Sequence, residues 1–292
     1  MRKIALIGSK GYIGKHLAWY LKQNGYSVSC YDVVPDNADG YCQIDIKDRK
    51  QMNKVDLDVD DVYMFAGMTG TKAGFDRYNE YTSVNEIGLN HLLDAIRCSD
   101  YRPRVVFPST RLIYKGAEKA LSEDDEQETK TVYAVNKLAC ENLLFAYANM
   151  YGIPYTIFRI CVPFGNMLDK DYSFGTVGFF IRQALEKGRI TLYGDGSIKR
   201  TFTSMNDLCF QIEKTTSYKE SINQVYNIGG HAYSLLETAK KIASIYGAQI
   251  EFIPFPDSDY KIESGSTYFD SSKIEGLIGM INYQDIDDLL QV

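Results

Sequence analysis

The N-terminal residues constrain this chain more than any others. Lys3 to Ile7 (KIALI) is a short apolar run with the length of a strand, and Gly8-Ser-Lys-Gly11-Tyr-Ile-Gly14 follows it at once. A helical pattern, Tyr12 to Gln23, begins inside that turn. Each glycine has a distinct physical duty in such a turn. One permits the sharp reversal, one lets backbone approach a pyrophosphate, and one lets the helix pack close to the strand. An anion would then rest on the N–H groups of Gly11, Tyr12, Ile13 and Gly14 at the positive end of the helix. The plain alternative is a turn whose glycines serve packing alone. Standing directly after the first strand, the triplet favours a dinucleotide pocket built by Gly8, Gly11, Tyr12, Ile13 and Gly14.

The rest of the chain continues the alternation. Strands are expected at Ser27 to Asp32, Tyr41 to Asp45, Asp61 to Ala66, Arg104 to Pro108 and Tyr155 to Ile160. Helices are expected at Val84 to Cys98 and Thr131 to Met150, with an acidic solvated loop, Glu118 to Lys130, between the last two strands. Strand and helix alternating in this way predict an α/β fold, a Rossmann-type doubly wound parallel sheet with ligand at the carboxyl ends of its strands. Beyond Pro163 the rhythm loosens. Glycine- and aspartate-rich loops (Phe164 to Gly178, Tyr193 to Lys199) mix with helices near Phe179 to Lys187, Asn206 to Thr216 and Leu235 to Tyr246. A strand at Gln224 to Ile228 is placed to rejoin the main sheet. The expected domains are residues 1–162 with about 200–230 as the dinucleotide-binding domain. Residues 163–199 and 231–292 then form a smaller C-terminal substrate-binding lobe.

Asp32 closes the second strand about 20 residues beyond the turn, where a carboxylate accepts bonds from adenosine ribose hydroxyls and repels a 2′-phosphate. That favours NAD over NADP, against the reading of Asp32 as a solvent-facing strand end. Asp45 and Ile46 are placed to touch the adenine. The formal net charge of −6 argues against nucleic acid or an anionic membrane as partner. Six scattered cysteines without a close pair fit reduced thiols, and three distant histidines make a metal site unexpected. With the first strand starting near Met1 and no long apolar run, a cytoplasmic protein is expected.

Tyr133 stands four residues before Lys137 on the expected helix, so both side chains share one face. In a chain with 23 tyrosines that spacing alone decides little. The bland reading is a packing tyrosine and a solvated lysine. Beside a hydride carrier, however, a phenol and an ammonium in one pocket are proton-transfer machinery. The phenol has an ordinary pKa of about 10, and a neighbouring cation favours its ionised form.

At this point the residues resemble the extended short-chain dehydrogenase/reductase family, and within it the nucleotide-sugar epimerase/dehydratase group, similar to UDP-glucose 4-epimerases. Besides the glycine turn, the resemblance rests on Phe65-Ala66-Gly67, on Val84-Asn85, on Phe107-Pro-Ser109-Thr110-Arg-Leu-Ile-Tyr114 and on Tyr133-Ala-Val-Asn-Lys137. It continues through Phe158-Arg159, Gly194-Asp195-Gly196-Ser-Ile-Lys-Arg200-Thr-Phe202 and Tyr226-Asn227-Ile228-Gly229. It implies that Tyr133 is the catalytic acid/base, that Lys137 bonds the nicotinamide ribose, and that Thr110 hydrogen-bonds the same sugar oxygen as Tyr133. Phe65, Ala66, Gly67, Asn85 and Ser109 would line the NAD pocket, although Asn85 has helix-start duty as an alternative. Arg200 would grip the diphosphate of a nucleotide-diphospho-sugar substrate.

Several positions depart from the family pattern. Arg111-Leu112 stands where related 4,6-dehydratases carry an Asp-Glu pair, so elimination chemistry is disfavoured. Cys161-Val162-Pro163 occupies the stretch where many sugar epimerases set an asparagine against the diphosphate, and Met64 replaces a common histidine. The first reading is an NAD-dependent epimerase acting at C4 through a transient 4-keto sugar. A reductase of a nucleotide-linked 4-keto-deoxysugar would use the same residues once per cycle. A non-catalytic NAD sensor is the third reading, but such relatives usually lose the Tyr-Lys pair. The apolar positions of the helices near 84–98 and 138–150 suit a homodimer or burial against the sheet.

Overall fold

A computed structural model describes residues 1–169 and 174–290, the side chains of 289 and 290 excepted. Part of the loop expected over 164–178 (residues 170–173) lies outside the described residues. The described strands are β1 (Lys3–Ile7), β2 (Ser27–Asp32), β3 (Tyr41–Gln43), β4 (Asp61–Met64), β5 (Arg104–Thr110), β6 (Tyr155–Ile160), β7 (Val162–Phe164), β8 (Arg189–Tyr193), β9 (Lys199–Ser204), β10 (Gln224–Asn227), β11 (His231–Ser234) and β12 (Gln249–Ile253). The longer described helices are α1 (Tyr12–Gln23), α2 (Gly88–Cys98), α3 (Val132–Tyr151), α4 (Gly175–Lys187), α5 (Met205–Ser217) and α6 (Leu235–Tyr246). None of the described helices is long and apolar enough to cross a membrane.

The chain divides into two compact units. One comprises Met1–Ile113, Thr131–Arg159 and Thr216–Tyr226, and the other Tyr114–Lys130, Ile160–Thr215 and Asn227–Val292. These limits differ from the expected domains, since residues 200–215 belong to the second unit and only 216–226 return to the first.

The first unit is built on a seven-stranded sheet in the order β10-β6-β5-β4-β1-β2-β3. The pairs β1/β2, β1/β4, β2/β3 and β4/β5 are parallel. The order reverses beside β1, which creates the crevice at the carboxyl ends of β1 and β4 where doubly wound sheets bind ligands. Strands β4, β5 and β6 are buried along their whole length, as in a parallel sheet covered on both faces. β10 joins this sheet at its edge, next to β6, as the sequence indicates.

Two local departures bear on the site. The helix expected from Val84 starts as a π turn, Ser83–Ile87, and becomes regular only at α2. Within it the Asn85 amide accepts from Met68 N (2.8 Å) and donates to Met68 O (3.1 Å), while the Cys140 thiol bonds the Asn85 carbonyl (3.2 Å). The strand expected to run to Ala66 stops at Met64, although Phe65 N still donates to Ile7 O at 2.8 Å. α3 begins one residue later than expected, with Thr131 as its cap accepting from Ala134 N at 3.1 Å.

The second unit holds a three-stranded sheet, β11-β9-β7, and a two-stranded parallel sheet, β12-β8. Its β9 is antiparallel to β11 and parallel to β7. Helices α4 and α6 supply apolar side chains, among them Val177, Ile181, Ala239 and Ile242, to one buried cluster with Ile190, Leu192 and Phe202.

Candidate functional site

The glycine turn takes the form its sequence requires. Gly8 has φ +94°, and a Cβ there would stand 2.3 Å from Ala66 N, so only glycine lets the β1 and β4 ends close together. A Cβ on Gly14 would stand 2.0 Å from Gly8 O, which shows how tightly α1 sits on the turn. Gly8 N and Ser9 N donate to Tyr31 O at 2.8 and 3.1 Å, fixing the turn to β2. Gly11 is the exposed N-cap of α1 and brings no capping side chain, leaving the helix end open to an anion.

This turn borders a cavity of about 440 Å³. Gly8, Gly11, Asp32, Asp45, Ile46, Phe65, Ala66 and Gly67 all line it, bringing together eight residues singled out from four separate stretches of sequence. Asp32 accepts Lys10 N at 2.8 Å on one oxygen and Val34 N at 3.1 Å on the other. A carboxylate offers about four acceptor positions, so capacity for a ribose diol is left over. Asp45 is turned to its own loop, accepting Lys47 N at 2.9 Å. Tyr12, Ile13 and Gly14 lie in the first turn of α1 and do not border the cavity. Lys10, Val33, Val34, Met68 and Glu80 are among the further wall residues that the sequence does not single out. Val33 and Val34 directly follow Asp32 and were legible; Glu80 carried no local signal.

Tyr133, Lys137 and Thr110 converge in the same unit. Tyr133 is in the first turn of α3, where the Thr131 cap fixes the helix start, and Thr110 ends β5. The Thr110 hydroxyl is hydrogen-bonded to the Tyr133 phenol. Lys137 is 5% exposed. Its Nζ donates to Pro108 O at 2.7 Å and lies 4.3 Å from the Phe107 ring centroid and 5.9 Å from that of Tyr133. Gly67 links this cluster to the cavity, for a Cβ on it would stand 3.9 Å from Lys137 Nζ. Ser109, 4% exposed, has its Oγ without a hydrogen-bond partner.

Burial dominates the electrostatics. It pushes the Tyr133 phenol well above its ordinary value, opposed by the bond to Thr110. It lowers Lys137 from 10.5 to about 8. The Lys137 ammonium, 5.9 Å from the Tyr133 ring centroid and engaged by the Pro108 carbonyl, does not offset this burial.

Three further residues sit as follows. Asn85 is 4% exposed and spends its amide on Met68. Arg159 is a buried ion-pair partner of Glu141, 2.8 Å away, in keeping with a structural charge. Arg200 belongs to the second unit and is 3% exposed, with Nη2 at 2.6 Å from Glu263 Oε1.

Known proteins resemble this chain in sequence and in fold. The pattern of the NAD dependent epimerase/dehydratase family matches residues 4–229. A UDP-N-acetyl-alpha-D-glucosaminuronate decarboxylase of Bacillus cytotoxicus is 29% identical over 277 residues, covering 87% of this chain and 84% of that protein. A UDP-glucuronate 4-epimerase of Thermodesulfobacterium geofontis is 24% identical, covering 93% and 88%. The crystal structure of UDP-glucuronic acid 4-epimerase from Bacillus cereus, in complex with UDP-glucuronic acid and NAD, superposes with a TM-score of 0.84 at 25% identity, covering 99% of this chain and 96% of that one.

Proposed function

This chain belongs to the NAD-dependent epimerase/dehydratase family, and we propose that within it the chain is an epimerase of a nucleotide-diphospho-sugar, acting at C4 through a transient 4-keto sugar. The observation that carries the reading is the convergence of Tyr133, Thr110 and Lys137 beside Gly67, a wall residue of the cavity below the glycine turn.

The cavity suits a dinucleotide on its own terms. An uncapped helix end, a turn closed to any side chain at Gly8 and Gly14, and a carboxylate with spare acceptor positions match pyrophosphate and ribose in turn. Gly8 and Gly11 would hold the pyrophosphate, with Gly14 seating α1 on the turn, and Asp32 the adenosine ribose, while Lys137 would bond the nicotinamide ribose. NAD, when bound, supplies an acceptor for the C4 hydride and a positive ring charge beside the phenol.

The residues supply the proton chemistry. Tyr133 as phenolate accepts the proton of the sugar C4 hydroxyl while the C4–H bond is broken, leaving a carbonyl at C4. Thr110 orients the phenol and shares the same sugar oxygen. Lys137 contributes positive charge to a site whose burial otherwise favours the neutral phenol. Once the keto sugar has turned its other face, Tyr133 returns the proton to the oxygen as C4 regains the hydride that NAD would have accepted, and the opposite C4 configuration results. Relatives acting on UDP-sugars support the substrate class.

The test is Tyr133→Phe, assayed by NMR against UDP-, dTDP-, CDP- and GDP-sugars. General acid–base catalysis accounts for roughly 10²–10⁴-fold in rate, so turnover should fall by at least that lower figure while NAD binding persists. Near-normal turnover would refute the role of Tyr133. Turnover by the native protein without added cofactor marks an epimerase, whereas stoichiometric consumption of NAD(P)H marks a reductase.

A further inference from the structure

The residue expected to grip a diphosphate already holds an anion. Arg200 lies on β9, and its Nη2 donates to Glu263 Oε1 at 2.6 Å. Its Nη1 donates to the carbonyls of Lys199 and Gly265. The same Glu263 oxygen accepts Gly265 N at 3.0 Å. The pair is asymmetric in exposure, with the arginine side chain 3% exposed and the glutamate side chain 23%. The next residue, Ser264, is 7% exposed and its hydroxyl has no hydrogen-bond partner. Gly265 follows with φ +79°.

A buried guanidinium without a counter-charge is strongly unfavourable, whereas exchanging one carboxylate for another anion leaves it paired throughout. A phosphate satisfies the same fork geometry as a carboxylate. A phosphate arriving at the Nη2 side of Arg200 meets the Glu263 carboxylate there, and the two like charges repel. The more accessible partner is the one able to leave. The unused Ser264 hydroxyl is a donor in the segment that would move.

We propose that Glu263 is an internal anion seated on Arg200, and that a ligand phosphate reaches this arginine only by displacing that carboxylate. The inference rests on the reading above that the substrate carries a nucleoside diphosphate. Glu263 then sets the affinity of the site, holding it weaker than an open arginine would make it, and keeps Arg200 paired whenever the substrate is absent.

The experiment is calorimetric titration of UDP into the NAD-saturated full-length protein and its Glu263→Gln variant, with uridine as the uncharged control. The variant should bind UDP at least tenfold more tightly and uridine unchanged. Without nucleotide it should melt at a lower temperature than the native protein, and saturating UDP should raise that temperature by more than it raises the native one. Equal or weaker UDP binding by a variant that still binds NAD overturns the proposal. If Glu263→Gln does not fold, Glu263→Asp, whose shorter side chain reaches Arg200 poorly, should also bind UDP more tightly than the native protein, and equal or weaker binding has the same adverse meaning. Turnover of a nucleotide sugar combined with an unchanged UDP affinity removes this inference alone. Absence of both turnover and UDP binding in every form removes the functional reading along with it.

Discussion

Lys137 should destabilise the fold it serves. Burial lowers its pKa from 10.5 to about 8, a shift of 10.5 − 8 = 2.5, which corresponds to about 3 kcal/mol at roughly 1.4 kcal/mol per unit. The folded pKa lies below the unfolded one, so between about pH 8 and 10.5 the unfolded chain binds more protons. Stability therefore rises as pH climbs through that window, and the full penalty applies below it. Lys137→Met removes the penalty but leaves the Pro108 carbonyl, now bonded at 2.7 Å, without its donor. An orphaned buried acceptor costs about 1–3 kcal/mol, so at pH 7 the variant should range from equal in stability to about 2 kcal/mol more stable. The pH dependence is the sharper signature. Between pH 7 and pH 9 the native protein should gain about 1 kcal/mol on the variant, because half-titration near pH 8 relieves it and methionine has nothing to relieve. Urea unfolding at the two pH values, at constant ionic strength, measures this directly. A stability gap that stays the same at pH 7 and pH 9 refutes the argument. NAD titration in parallel should show weaker binding by Lys137→Met at pH 7, and by the native protein as pH passes 8 and the ammonium is lost.

Other substitutions test other parts of the fold. Gly14→Ala places a Cβ 2.0 Å from Gly8 O, backbone against backbone, so α1 must lift from the turn. NAD affinity should fall by about a hundredfold or more, roughly 3 kcal/mol, and a native Kd by fluorescence titration would contradict the assigned turn geometry. Glu141→Gln leaves the Arg159 guanidinium, bonded to it at 2.8 and 3.1 Å, buried without its counter-charge. Breaking such a pair costs about 3–5 kcal/mol, and a loss below about 1 kcal/mol in urea unfolding would show that solvent reaches the site.

How far the sequence discloses the structure depends on how local the determining interactions are. β1, α1, β2, β6 and α6 begin and end at the expected residues because their apolar periods and flanking glycines or caps lie within the segment itself. The Tyr133–Lys137 pair was legible for the same reason, since one helix turn fixes both. β9 shows the opposite case. KRTFTS reads as a polar stretch, yet all but Lys199 are buried. Two of its hydroxyls are satisfied from distant segments: Thr201 Oγ1 accepts Phe269 N at 2.8 Å and Thr203 Oγ1 donates to Gly229 O at 2.8 Å, while Ser204 Oγ accepts Asp207 N at 3.0 Å from the adjoining helix start. Hydropathy cannot register a strand whose polar groups are paired by other parts of the chain. β8, β11 and β12 escape hydropathy on similar grounds, being four or five residues long with half-polar faces, and β7 (VPF) is only three residues long.

The same distinction separates two of the charged residues assigned to ligands, Asp32 and Arg200. The surroundings of Asp32 are set by its neighbours Lys10 and Val34 through the turn and strand end, so its place on the cavity wall follows from the motif. Arg200 is decided by Glu263, 63 residues further along. The motif around Arg200 indicates a cation for a phosphate, but the charge actually offered to a ligand is that of the pair. A motif therefore identifies which residue meets the ligand only where its counter-charge is local. Where the partner arrives from a remote segment, the sign and strength of the site belong to the fold, and affinity for a diphosphate has to be reasoned from Glu263 as much as from Arg200.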